Sequence, residues 1–334
     1  MAPTKPMSRW DGNTPVYQVL KELGDPMPAH YLPKRDPKMV KQGEELIKHG
    51  VTRGPHGQKT DMQSQYFACI DCHNVDREDP DLRVSDPETR LDYAIQNQNR
   101  FLPGTTFYGI VNRTSWYNGD YQKKYGDIAS EANKDLLKAI QLCAMKCAMG
   151  RKLDDWEVQA VLAYFWSLEL KLVDLNLSTS DWKKLKFSSL RPDKNQDLIS
   201  WLKSFYLPAS PATFVKPPKP ITASAEYEPN IDNGKAIYVL SCLSCHKDEG
   251  ITSFPLGNSP VAYQLLNDHT KFGANFSVYN AVRNGIKASP GKGYMPNYPS
   301  QRISDHQLMD LRAFINYQAT HDLVELEPLI NWIN

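Results

Sequence analysis

Two short stretches carry the most specific chemistry in the sequence: Cys69-Ile-Asp-Cys72-His73 and Cys242-Leu-Ser-Cys245-His246. Two thiols separated by two residues can form thioethers to the vinyl groups on one porphyrin edge, and the adjacent histidine can swing under the ring to bind iron. A zinc or thioredoxin-like site also uses paired cysteines, but a histidine in the same place after both pairs favours covalent haem attachment. The expectation is two covalently bound haem c groups, attached at Cys69, Cys72, Cys242 and Cys245, with His73 and His246 as proximal iron ligands.

Each haem also needs a distal ligand. In the second half, Gly293-Tyr294-Met295-Pro296 precedes a helix-like run, and the soft thioether of Met295 would stabilise ferrous iron and raise the potential. Lys292 and His269 are the substitutes within reach in the sequence. The first half lacks a Met-Pro pair; there Cys143, Met145, Cys147 and Met149 crowd into one short segment, and any of these sulfurs could bind iron. Met145 stands as far from its following helix as Met295 does from its own, which allows ordinary His/Met ligation. Cys143 and Cys147, one helical turn apart, could instead form a disulfide or lie buried.

Similar elements surround the two motifs. A helix-like run lies upstream of each, over 37–49 and 232–240, and a capped amphipathic helix follows. Asp154 with Glu157, and Ser304 with Gln307, read as capping boxes. Behind them Val158, Val161, Phe165 and Leu168, and then Leu308, Leu311 and Ile315, recur at helical spacing and read as core. An early helix crossing a late one beside such a motif resembles the class I cytochrome c fold. The expected architecture is therefore all-α: an N-terminal extension (1–34), a first domain (35–172), a Pro-rich linker (173–229), a second domain (230–322) and a C-terminal tail (323–334). Pro208, Pro211, Pro217, Pro218 and Pro220 among Ser, Thr and Lys suggest an extended, semi-rigid linker. Between the first motif and its sulfur-rich segment runs a long loop rich in aromatics, from Phe101 to Tyr121, with Arg113 at its centre, the kind of loop that can cover a pocket.

Cys143 followed three residues later by Lys146, and then by Gly150 and Leu153, resembles the thiosulfate dehydrogenase family of dihaem cytochromes, which have Arg in the place of Lys146 and Asn in that of Met149. The resemblance implies that Cys143 is the thiolate ligand of a catalytic first haem and the covalent anchor for substrate sulfur. It also implies interconversion of thiosulfate and tetrathionate, with electrons leaving through the second haem. Two dianions need fixed cations, for which Lys146, Arg113 and Arg151 are the candidates. Cys147 has no counterpart in that pattern, and Tyr294 stands where many members have Lys.

The formal net charge of +1 over 334 residues gives no nucleic-acid footprint. No run approaches the roughly 20 apolar residues of a membrane-spanning helix, and the first ten residues lack a signal-peptide core. Because haem c is normally attached outside the cytoplasm, the expected location is a bacterial periplasm or cell exterior, with the export signal removed. The expected partners are a small anionic sulfur substrate and a redox protein such as another cytochrome c or a respiratory complex.

Overall fold

The computed structural model describes residues 9–189, 195–218, 227–247, 251–252, 255–271, 277–291, 293–321, 323, 325–326 and 329, without the side chains of 189 and 269–271. Lys292 and the His269 side chain, the substitute ligands for Met295, thus lie outside the described residues, as does most of the expected C-terminal tail.

The described chain is all-α; its extended pairing is confined to isolated bridges. Along it come α1 (Val16–Glu22), α2 (Pro37–His49), α3 (Pro87–Asn97), α4 (Tyr121–Tyr125), α5 (Asp127–Lys134), α6 (Leu136–Leu142) and α7 (Asp155–Ser167). There follow α8 (Thr179–Ser189), α9 (Gln196–Lys203), α10 (Ile231–Ile237), α11 (Leu243–His246), α12 (Pro260–Lys271), α13 (Val278–Asn284) and α14 (Asp305–Thr320). The ends are set by local chemistry. Asp36 accepts from Lys38 N and Pro37 opens α2, which stops at Gly50 in the left-handed region, φ 67°. Glu157 accepts from Asp154 N at 2.8 Å; Ser304 and Gln307 cap α14 reciprocally, each bond 3.0 Å.

The described apolar residues gather into two clusters, each built on a pair of crossed helices. α2 crosses α7 where Gly43 meets Ala160: a Cβ on Gly43 would lie 2.0 Å from the Ala160 carbonyl oxygen. α10 crosses α14 in the same manner, with a Cβ on Gly234 falling 2.1 Å from the Asp310 oxygen. Only glycine lets the backbones approach this closely. Val158, Val161 and Phe165 on α7, and Leu308, Leu311 and Ile315 on α14, are buried as their spacing predicts, while Leu168 is only partly covered.

Four segments behave differently from their reading in the sequence. Residues 173–229 are not extended throughout: α8 and α9 form within them, and Leu185, Leu198, Ile199 and Leu202 are buried in the first cluster. Their apolar spacing outweighs the polar and Pro-rich surroundings, and extended chain begins only near Pro208. The N-terminal stretch likewise contributes Trp10, Val16, Val19 and Leu20 to that cluster. α3, although it follows the first motif, sends Leu91 and Ala94 into the second cluster, joined by Phe101. α10 is also shorter than the run expected over 232–240; the chain widens into a π-helical turn over Tyr238–Cys242 before α11.

A buried charge network ties the two clusters together. Arg302, just before α14, makes a two-bond fork onto Glu78 at 2.7 and 2.8 Å, and both side chains are 2% exposed. Glu78 also accepts from Thr106 N at 2.8 Å, and Arg302 reaches the Leu102 carbonyl. Arg90 on α3 donates to the Arg302 carbonyl and lies 3.7 Å over the Phe101 ring. Burial alone would raise the Glu78 pKa, but the Arg302 charge and hydrogen bonds prevail and bring it down to about 2.

Two predictions follow from these contacts. Gly43→Ala and Gly234→Ala gain about 1 kcal/mol of helix propensity but force backbones apart, so each is expected to lose about 2 kcal/mol net in chemical denaturation; unchanged midpoints would refute the crossings. Glu78→Gln leaves Arg302 buried without its counter-charge and should cost on the order of 3 kcal/mol near neutral pH. Since the folded pKa of Glu78 lies below its unfolded value of about 4.3, the stability it provides is complete above that value and is lost as pH falls toward 2. The gap between wild type and Glu78→Gln should therefore narrow progressively between about pH 5 and about pH 2.

Candidate functional site

The first motif lies in a cavity lined by Cys69, Cys72 and His73. Thr105 O lies 2.7 Å from His73 Nδ1, a bond that leaves Nε2 available to a metal. Phe107 stacks on the ring at 4.5 Å, and Gly104 presses against it so closely that a Cβ there would come within 2.5 Å of Nδ1 and Cε1. The aromatic loop after Phe101 thus supports His73. Burial draws the His73 pKa down to about 4, keeping the imidazole in its neutral, metal-binding form.

Cys143 and Cys147 line the same cavity, on a π-helical turn (Cys143–Cys147) closed by Ala148 N to Cys143 O at 2.8 Å. Segment 61–64 clamps this turn: Gln63 Nε2 donates to Ala144 O, Ser64 Oγ to Ala148 O, and Arg151 N to Gln63 O. Gly150 is required because a Cβ would lie 2.1 Å from Gln63 O. No disulfide joins Cys143 to Cys147. The interaction of the two sulfurs, more than burial, pushes the Cys143 pKa up and brings the Cys147 pKa down to about 6. Tyr117 and Tyr125 hydroxyls at 3.6 and 3.7 Å, with Lys124 nearby, reinforce the lowering at Cys147 against burial.

The other residues singled out in the sequence are distributed unevenly. Arg113 lines the cavity but donates to Thr105 Oγ1 at 3.3 Å and Thr106 O at 3.0 Å, beside the support of His73. Arg151 forks onto Glu157 at 2.5 and 2.7 Å and reaches Asp61 O, holding the start of α7. Neither Arg151, the exposed Lys146 nor Met145 belongs to the cavity lining. The cation beside the sulfurs is Lys124, whose Nζ donates to Asn297 Oδ1 from the second half. Sequence reasoning missed Lys124, Tyr125, Asn297 and Arg302 as cavity residues; the Tyr121–Tyr125 spacing with Lys124 between them was the available signal.

A second cavity is lined by Cys242, Cys245, His246 and Met295. Met295 is fixed by paired backbone bonds with Ile286, 2.9 and 3.1 Å, under Gly285, whose φ of 68° and close approach to Met295 O exclude a side chain. Tyr298 Oη and Ser241 Oγ, 2.6 Å apart, anchor the ligand loop to the motif turn. Burial pushes the Cys242 thiol up to about 12 and Cys245 to about 11, as it does Cys69 to about 12, the reverse of the depressed thiols of a reactive dithiol.

The cavities adjoin. Phe67, Pro103, Tyr294 and Pro296 line both, with the Phe67 and Tyr294 rings edge to face at 5.7 Å. The Cys245 thiol points at the Asp71 carbonyl, inside the first motif, at 3.9 Å.

Both cavities offer what haem c requires: two thiols and a histidine on one wall, with a further sulfur donor in each lining. Cys242, Cys245 and His246, framed by crossed helices, with Met295 in the same cavity, are the parts of a c-type cytochrome domain. A family model described as cytochrome C oxidase, cbb3-type, subunit III, matches residues 229–315, so this part of the chain is a cytochrome c domain, which implies covalently bound haem c. Comparison with curated proteins and with solved structures finds no match. Among the described residues no helix is long and apolar enough to cross a membrane.

Gly104→Ala is expected to displace His73 and convert the iron it binds partly to high spin, with haem content unchanged. The absorbance spectrum checks this, and a wild-type spectrum would mean that Gly104 does not set the ring position.

Proposed function

We propose that the chain is a dihaem c-type cytochrome of two tandem class I domains, acting outside the cytoplasm. Its first haem exchanges electrons with a small sulfur oxyanion and its second with a redox partner. The observation that carries this reading is the unequal pair of donor sets: Cys143 and Cys147 share a cavity with His73, whereas Met295 shares one with His246. A thiolate lowers the potential of the haem it ligates and a thioether raises it, which favours electron flow from the first to the second.

Bound there, the two haems would take one electron each as two thiosulfate ions join into one tetrathionate, or return them in the reverse reaction. The chain's own residues do the rest. Cys143 is the sulfur that the family resemblance makes both ligand and anchor. Lys124, with the Tyr117 and Tyr125 hydroxyls around Cys147, gives negative oxygen a cation and donors in a cavity walled by aromatic rings. Arg113, bonded beside Thr105, orients the support of His73, and Arg151 and Lys146 bear on α7 and the surface.

A second reading has one specific observation in its favour, the match of residues 229–315 to a cytochrome c oxidase subunit family. In it both haems only relay electrons toward such a complex.

Haem quantification is expected to give two haems per chain, and the purified protein to oxidise thiosulfate with an artificial acceptor or reduce tetrathionate with an artificial donor. Inactivity in both directions would sink the sulfur substrate and leave the relay. Met295→Ala should lower the midpoint potential of the higher-potential haem in a redox titration; an unshifted value would remove Met295 as its ligand.

A further inference from the structure

The wall of the first cavity is electrically one-sided. Three cationic side chains line it, Arg113, Lys124 and Arg302, and among the described residues no Asp or Glu does. Both guanidinium groups are engaged by the protein, Arg302 on Glu78 and Arg113 on Thr105 and Thr106. Lys124 differs: it is exposed, and its Nζ donates to a neutral acceptor, Asn297 Oδ1. The nearest carboxylate along the chain, Asp120, is taken by Lys123 Nζ at 2.6 Å and Phe214 N at 2.8 Å. An ammonium group has three donors, so two of those on Lys124 are left over. Asn297 adds to them. A lysine can only donate, so the amide oxygen must face it, and among the described residues nothing accepts from the amide nitrogen, Nδ2. With Lys124 exposed and Asn297 half-buried, the pair stands where the cavity meets solvent.

Three chain segments converge to hold the pair. Asp120 N donates to Ala212 O at 2.9 Å, which with the Phe214 bond ties the start of α4 to the stretch after Pro211. Gly119, at φ 66°, permits this approach, since a Cβ there would lie 2.2 Å from Ala212 O. On its other side the same stretch is tied to the second half: Ser300 N donates to Thr213 O at 2.9 Å, and the Gln301 side chain bonds Thr213 twice, each at 2.8 Å. The Tyr125 and Phe214 rings, 5.3 and 5.4 Å from Lys124 Nζ, hold the ammonium without neutralising it.

Resting on the reading of the first cavity as the site of sulfur oxyanion chemistry, we propose that Lys124 and Asn297 form its anion-binding subsite, built jointly by the two halves of the chain. The ammonium and the amide N–H groups take the sulfonate oxygens of a thiosulfate-type dianion, which leaves its outer sulfur free to face the cavity sulfurs. No bond is made or broken at this subsite; it draws the anion in and orients it. A porphyrin propionate is the other oxyanion such donors could take, and the two sources are separable by experiment.

The test is calorimetric titration of the holoprotein with thiosulfate at low and high salt, together with steady-state kinetics using an artificial acceptor, for wild type, Lys124→Gln, Lys124→Arg and Asn297→Asp. Lys124→Gln and Asn297→Asp should each weaken thiosulfate binding about tenfold or more, with KM rising more than kcat falls. Salt should weaken binding more in wild type than in Lys124→Gln, and Lys124→Arg should keep most of the affinity. Asn297→Asp decides between a subsite and a mere tie, because aspartate keeps the bond to Lys124 but repels an incoming anion. Wild-type affinity in that variant would make the pair a structural tie and overturn the proposal. Unchanged affinity in Lys124→Gln with a shifted haem midpoint potential, the mark of a propionate partner, would overturn it as well. Thiosulfate that binds with the expected dependences but is not turned over would sink the sulfur reaction and still support the subsite, whereas no binding of thiosulfate or tetrathionate to wild type would remove the subsite itself.

Discussion

Both sulfur-lined cavities depend on a pair of helices crossing backbone to backbone, Gly43 against Ala160 and Gly234 against Asp310. A side chain of any size there would separate the helices, and the chain segments hanging from them would lose their relation. α7 is preceded by the turn that carries Cys143, and α14 by the loop that carries Met295, so the crossings set where these sulfurs stand. A glycine inside a helix costs about 1 kcal/mol against alanine, a cost offset by the close contact it permits.

The second organising element is electrostatic. Arg302 and Glu78 lie far apart in sequence, yet their fork is buried where the two clusters meet. Such a pair adds little to stability over apolar packing, but either charge left alone in that environment is severely destabilising. It therefore acts as a registration device: alternative arrangements of the two clusters strand at least one charge. Thr106, which donates to the same carboxylate, follows directly on the Thr105 carbonyl that engages His73, so the network also reaches the histidine of the first motif.

Much of this was legible from residue types and spacing. The two Cys-x-x-Cys-His motifs, the caps at Asp154 and Ser304, the stripes on α7 and α14 and the place of Met295 in one cavity with the second motif are local signals, each complete within a few residues. The surroundings of Cys147 were not legible, because Tyr117, Lys124 and Tyr125 lie well before the sulfurs in the chain and only tertiary packing brings their polar tips to one point. Arg113 and Arg151 show the limit of nominating cations by charge: each guanidinium is engaged by neighbours that sequence proximity to a motif does not reveal. α8 and α9 were obscured by Pro-rich composition around them, although Leu185, Leu198, Ile199 and Leu202 carried the helical period.

The wall between the cavities is formed by Phe67, Pro103, Tyr294 and Pro296, with the thiol of one motif against a carbonyl of the other. Electron tunnelling falls off exponentially with the gap, and a partition one side chain thick is short on that scale. Redox groups seated on either side need no carrier between them. The aromatic rings in the partition have only to keep it dry and rigid, so that little nuclear rearrangement accompanies each transfer.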